Sequence, residues 1–188
     1  SHQIRRQADC LLGPELSDVD GNSEERCGTI SVFNGPPPVI SALRSPDEES
    51  KAVASWLGER IAEGYKPHEI GVFVRSSAEL ERAFSAVSKA GLNHKVLDEH
   101  VETGIDQVSI STMHLAKGLE FRAVAVMACD DEIVPLLERI ETVADDADLQ
   151  EVYDTERHLL YVACTRARDQ LLVTSGDVPS EFLDDLKA

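Results

Sequence analysis

Basic charge is what this sequence has least of: 18 Lys and Arg residues stand against 35 Asp and Glu, a formal net charge of -17 over 188 residues. Phosphate neutralisation supplies most non-specific nucleic-acid affinity, so this balance excludes a uniformly basic nucleic-acid binder; any such contact has to be local. There is no G-x-x-x-x-G-K-[ST] loop, so no phosphate cradle of that kind lies within these residues. The four cysteines, Cys10, Cys27, Cys129 and Cys164, form no C-x-x-C pair, and no His stands near them at zinc-ligand spacing. A zinc module and a disulfide scaffold are thereby excluded, and the expectation is free thiols in a cytoplasmic protein. No apolar run is long enough to cross a bilayer, and the opening SHQIRRQADCLL lacks the anatomy of a secretory signal, so no membrane partner is expected.

What is present is an ordinary globular balance, with 42% hydrophobic and 28% charged residues. One α/β unit is expected over residues 1–188, cut from a longer polypeptide and monomeric. Ile4, Ala8, Leu11 and Leu12 recur at helical spacing until Gly13-Pro14, which predicts a helix over residues 2–12. Short β-type runs at Thr29–Phe33 and Val39–Leu43 flank NGPPP, whose three prolines force an extended or turn connection. Ser45-Pro46-Asp47-Glu48 combines a cap, a first-turn proline and a capping-box glutamate, predicting a helix to about Ala62. Strands are then predicted at Glu69–Arg75, His94–Asp98, Gln107–Thr112, Arg122–Ala128 and Gln170–Ser175. Helices are predicted at Ser77–Gly91 and Thr155–Ala167, with an acidic loop at about 130–150. Apolar strands alternating with amphipathic helices indicate a mostly parallel sheet with helices on both faces.

In such sheets ligands bind at the carboxyl ends of strands. RSSAELER after Val74, STMHLAKGLEF after Ile110, and TRAR at the end of the last long helix are therefore the segments to inspect. The second is the most informative, because Thr112, His114, Lys117, Gly118 and Glu120 put a hydroxyl, an imidazole, an ammonium, a flexible backbone position and a carboxylate within nine residues between two apolar strands. The arginines of the third, Arg166 and Arg168, with Arg157 upstream, are also open to a plainer reading, as partners of the helix dipole or of surface carboxylates.

VSISTMHLAKGLEF resembles motif V of the superfamily-1 UvrD/Rep-type DNA helicases, and TERHLLYVACTRARDQLLVT resembles their motif VI. The two occur in the family's order, separated by the acidic stretch and closed by the expected strand. IGVFVRSSAELE is similar to the strand and Arg-Ser/Thr segment that opens this part of the second motor domain. SHQIRRQA is similar to the segment just after motif IV, whose arginine would lie just upstream of Ser1. The sequence departs from the pattern at Leu115, where relatives carry a small residue or Ser, and at Ala163 and Cys164, where they carry Gly and then Val or Ile. Between Asp98 and Gln107 it has only EHVETGID, where many relatives insert a large domain.

The resemblance implies a RecA-like, P-loop NTPase-type second motor domain, without a Walker A loop in these residues. It implies that Arg166 is an arginine finger reaching the γ-phosphate of ATP, that Glu120 bonds the ribose and that Gly118 permits close backbone approach. Thr112 and His114, with Lys117 nearby and Arg75 a further candidate, would contact the single-stranded DNA backbone. ATP with Mg²⁺ is the implied cofactor, the phosphate and metal ligands coming from the N-terminal motor domain of the same polypeptide, and movement 3′ to 5′ on DNA is the implied direction. These 188 residues alone are then expected to be inactive. Two alternatives remain: the motor of a helicase-nuclease repair complex, and a degenerate motor fold acting as an acidic protein-interaction module.

Overall fold

The computed structural model describes residues 1–12 and 35–187 apart from Val101 and Thr103. The expected strand at Thr29–Phe33, the helix stop at Gly13-Pro14 and Cys27 lie outside the described residues. Six strands form one sheet: β1 (Val39–Ala42), β2 (Ile70–Val74), β3 (His94–Val96), β4 (Val108–Thr112), β5 (Phe121–Val126) and β6 (Ala167–Ser175). Their order is β1-β6-β5-β2-β4-β3, and every neighbouring pair is parallel. The α/β architecture expected from the sequence is therefore present. All five residues of β2 are buried, the signature of a central strand covered on both faces. Gly71 belongs there because a Cβ would stand 2.7 Å from the Phe121 ring of the adjacent strand.

Alternation along the strands sorts the core into two layers. Ile70, Val72 and Val74 of β2, with Ala123 and Ala125 of β5, face α2 (Pro46–Ala62) and α3 (Leu80–Lys89), where Val53, Leu57 and Val87 are buried. Phe73, Val124, Val126, Leu171 and Val173 face α1 (His2–Asp9), α5 (Asp146–Thr165) and α6 (Phe182–Leu186), meeting Ile4, Leu160 and Phe182. One further short helix, α4, covers Leu137–Glu141.

The start of α2 follows its sequence closely: Ser45 Oγ accepts from the Glu48 amide at 3.2 Å. Glu48 reaches back to the Arg44 amide rather than to Ser45, one residue beyond the standard box. Three expectations need correction. The acidic stretch is not a loop throughout, since α5 begins nine residues before Thr155, capped by Asp145, whose side chain accepts from the Asp148 amide at 2.9 Å. Asp145, Asp146 and Asp148 are thus helix-start residues stabilised by the positive end of the helix dipole. At its other end α5 stops at Thr165, with Arg166 as its C-cap, so Ala167 already belongs to β6. Finally, α6 lies in a segment to which the sequence pattern assigns no element, and its Phe182, Leu183 and Leu186 are buried in the core.

Candidate functional site

Parallel register divides the candidate residues between the two ends of the sheet. Phe121 pairs with Ala167, and the Phe121 amide donates to the Arg166 carbonyl at 3.0 Å. Glu120 and Arg166 each precede one member of that pair, so two residues far apart in the chain stand side by side at the amino ends of β5 and β6. The expectation that all three segments lie at carboxyl ends is corrected here, because GLEF and TRA both precede strands.

These amino ends border a cleft of about 330 Å³ whose lining includes Arg5, Glu120, Tyr161, Arg166 and Arg168. The Arg166 guanidinium is oriented by neutral oxygens alone: Nε donates to the Val162 carbonyl at 3.1 Å, Nη1 to the Leu119 carbonyl at 3.2 Å, and Nη2 to Thr165 Oγ1 at 3.3 Å. Three of its five N–H groups are thereby used, and no carboxylate among the described residues neutralises it. Of the arginines lining the cleft, Arg168 alone pairs with a carboxylate among the described residues, Asp169 at 2.9 Å. Burial opposes ionisation of Asp169, but hydrogen bonds from Arg168 and Arg122 outweigh it and hold the carboxyl below its ordinary range. Glu120 is exposed beside these cations. A cleft with an oriented but unneutralised guanidinium and a free carboxylate can bind a ligand that carries both anionic oxygens and hydroxyl donors. Gly118 does not line the cleft; its φ of +84° lets the chain turn into β5, with the Leu119 amide donating to Ala116 at 3.1 Å. That turn delivers the Leu119 carbonyl to Arg166.

The carboxyl ends of β2 and β4 carry the second group. Val74 pairs with Thr112, which sets Arg75 beside the 3₁₀ turn Met113–Leu115. His114 and Lys117 are exposed on this loop and Thr112 is half-buried. Arg75 is not a surface residue: it is 3% exposed, and its Nε and Nη2 donate to the two oxygens of Glu156 at 2.7 and 2.6 Å. Its remaining terminal nitrogen, Nη1, stands 3.1 Å from His114 Nε2. The guanidinium is thus enclosed by protein, and its reach toward solvent passes through His114.

Glu156, fully buried, also accepts from Arg139 Nη1 at 2.9 Å and from the Leu136 amide at 3.3 Å. Burial alone would raise its pKa, but the hydrogen bond and charge of Arg75, then Arg139 and the amide, lower it on balance. His114 is lowered as well, by burial first and then by the Arg75 charge, against the opposing pull of Glu156. From sequence, Glu156 is only a letter in the TERHLL string without a role, and Arg139 only the lone cation of an acidic stretch. A cation that isolated among carboxylates is the available signal. Arg5 and Tyr161 lie in the strings SHQIRRQA and TERHLLYVACTRARDQLLVT, but their place in the cleft is not written there, because the α1–α5 packing that brings them in is tertiary.

The remaining expectations concern metal, thiols and membrane. Among the described residues no cluster of three or more His, Cys, Asp or Glu side chains could hold a metal ion. Cys10, Cys129 and Cys164 are free thiols, and burial pushes Cys164 up to about 12. No helix among the described residues is long and apolar enough to cross a membrane.

Comparison with known proteins bears on both ends of the sheet. Residues 86–177 match the model of the UvrD-like helicase C-terminal domain. An ATP-dependent DNA helicase PcrA of Staphylococcus aureus is 36% identical over 90 residues, covering 42% of this chain and 12% of that protein. PcrA of Staphylococcus epidermidis is 34% identical over the same length, with the same coverage. The chain thus spans about an eighth of the length of these relatives. A crystal structure of the C-terminal domain of a possible DNA helicase from Lactobacillus plantarum WCFS1 superposes with a TM-score of 0.66, covering 99% of this chain and 91% of that one at 20% identity, which shows a shared fold. The stretch that matches the UvrD-like helicase C-terminal domain, residues 86–177, is the one that holds Thr112, His114, Lys117, Glu120, Glu156 and Arg166.

Proposed function

We propose that this domain is the second motor domain of an ATP-dependent DNA helicase or translocase, completing an ATP site with Arg166 and contacting single-stranded DNA through the β4–β5 loop. The observation that carries the reading is the Glu120–Arg166 juxtaposition: one strand register brings residues from two motif-like segments to the same cleft. Arg166 supplies charge to transferring phosphate oxygens, and Glu120 accepts hydrogen bonds from ribose hydroxyls. Arg5 adds a second cation. The phosphate cradle and the Mg²⁺ ligands belong, in this proposal, to an N-terminal motor domain of the same polypeptide. Hydrolysis then depends on closure of two domains, because the finger and the cradle are on different ones. At the other end of the sheet, Thr112, His114 and Lys117 offer a hydroxyl, an imidazole and an ammonium to a nucleic-acid backbone despite the overall charge of -17.

The test is single-stranded-DNA-stimulated ATPase activity of the full-length protein, wild type against Arg166→Ala, with nucleotide binding assayed separately. An arginine finger is worth roughly 10³ to 10⁵ in rate, so stimulated turnover is expected to fall by at least two orders of magnitude while nucleotide still binds. Unchanged turnover would replace the motor reading with that of an interaction module built on a motor fold.

A further inference from the structure

Arg75 uses two of its nitrogens on Glu156, and this bidentate pair fixes the plane of the guanidinium. The third, Nη1, is thereby directed at His114 Nε2, 3.1 Å away. A guanidinium has donors and no acceptor, so the imidazole nitrogen facing it must be the unprotonated one. A neutral imidazole that accepts at Nε2 carries its proton at Nδ1, which is the minor tautomer of a free histidine. His114 is exposed, and among the described residues Nδ1 has no partner, so this N–H is available to a ligand. The groups facing the ring are Arg75 from the end of β2, Glu156 from α5 and Arg139 from α4; partial burial first, then the charges of Arg75 and Arg139, oppose a second proton on it against the pull of Glu156.

We propose that Glu156 and Arg75 are positioning residues that hold His114 as the neutral Nδ1–H tautomer, so that the β4–β5 loop presents a fixed hydrogen-bond donor to single-stranded DNA. The proposal rests on the reading of that loop as the DNA face. It deepens that reading by giving Arg75 a task that burial allows: it donates inward and acts through another side chain. Glu156 is the anchor of the arrangement, because its carboxylate satisfies Arg75 and Arg139 together and leaves neither oxygen unpaired. Enclosing so many charges costs desolvation that their mutual attraction does no more than offset, so a buried network of this kind contributes direction more than net stability.

Two measurements separate the positioning from the ligand. The first is a two-bond ¹⁵N–¹H correlation spectrum of this chain with ¹⁵N-labelled histidine near neutral pH, which reads each imidazole's tautomer directly. Wild-type His114 is expected as Nδ1–H, and Arg75→Met is expected to return it to Nε2–H. A wild-type Nε2–H signal, or an unaltered tautomer in Arg75→Met, overturns the proposal. The wild-type spectrum stands whatever the stability of the variant.

The second is a double-mutant cycle on the full-length protein, with fluorescence anisotropy of a labelled oligo-dT as the readout. His114→Ala and Arg75→Met are each expected to weaken binding by about tenfold, as for loss of one hydrogen bond to a charged group. The double variant should bind within about twofold of His114→Ala alone, because Arg75 has nothing left to position. Losses that multiply independently overturn the positioning role, since a merely structural arginine would act equally in both backgrounds. If His114→Ala binds oligo-dT like wild type while the Nδ1–H signal is present, the DNA half of the proposal is overturned and, with it, the loop's assignment as the DNA face.

Discussion

At the amino ends of the strands Arg166 is held by two carbonyls and a hydroxyl; at the carboxyl ends Arg75 is held by a carboxylate. Both guanidiniums are oriented, but only one is neutralised. Neutral acceptors fix the direction of Arg166 while leaving its charge for something outside the domain. The carboxylate of Glu156 consumes the charge of Arg75 and leaves a direction, which passes to His114. The same residue type thus does different work at the two ends of one sheet, and what decides it is the acceptor. A third arginine marks the purely architectural extreme. Arg82 bridges the fully buried Glu49 to Asp130, which accepts from the Gly176 amide at 2.7 Å, while Glu49 also takes the Ala128 amide and the Thr174 hydroxyl. That network ties α2 and α3 to the ends of β5 and β6, and it presents no exposed member comparable to His114.

Breaking this comparison should give its largest effect in stability. Glu156→Ala leaves the buried Arg75 without its carboxylate, and Glu49→Ala leaves Arg82 with Asp130 alone and strips the Ala128 amide and Thr174 hydroxyl of their buried acceptor; each is expected to cost about 3–5 kcal/mol in urea unfolding of this chain. Arg166→Ala, which removes only bonds to neutral oxygens at a half-buried position, is expected to cost about 1 kcal/mol. An Arg166→Ala loss as large as that of Glu156→Ala would mean that the cleft arginine is structural.

Acid sharpens the same contrast. The Glu156 pKa is lowered in the folded state, so its contribution is fully present above the ordinary carboxylate range and is lost as pH falls through the depressed value. Asp169 at the edge of the cleft has the same sign. Stability of the wild type should therefore decline as pH is taken from 6 toward 3, and Glu156→Gln, less stable at pH 6, should decline less steeply. Equal slopes would show that Glu156 is not held ionised by Arg75 and Arg139.

The smallest effect concerns Lys117, exposed on the β4–β5 loop. Lys117→Ala in the full-length protein should weaken single-stranded DNA binding only a few-fold and reduce the slope of log affinity against log salt by about 0.7, the value for one phosphate contact on a single strand. An unchanged slope would make Lys117 a solvated loop charge.

Much of the fold is legible in the sequence because its signals are local. The Ser45 cap, the buried run of β2 and Gly91 after α3, at φ +71°, are each written in a few consecutive residues. The acidic start of α5 is easily taken for a loop because carboxylates suit both a solvated loop and a helix N-terminus, and only the Asp145 cap separates the two. The short α6 escapes the pattern because five residues give too little periodicity to stand out. Within the site, Glu120, Arg166 and His114 can be named from motif-like strings. That Glu120 and Arg166 share a cleft, and that Arg75 is enclosed behind His114, depend on the registers Phe121–Ala167 and Val74–Thr112, which no local pattern encodes.

The central claim is that the two ends of the sheet carry separable tasks, nucleotide hydrolysis at one and DNA contact at the other. It is tested most directly by titrating single-stranded DNA into the full-length protein and following ATP turnover for wild type, Arg166→Ala and His114→Ala. Arg166→Ala should saturate at wild-type DNA concentrations with turnover lower by at least two orders of magnitude, whereas His114→Ala should need more DNA, by about tenfold, to approach wild-type turnover. If both variants lose maximal turnover and DNA affinity together and to the same extent, the division between the two ends is contradicted.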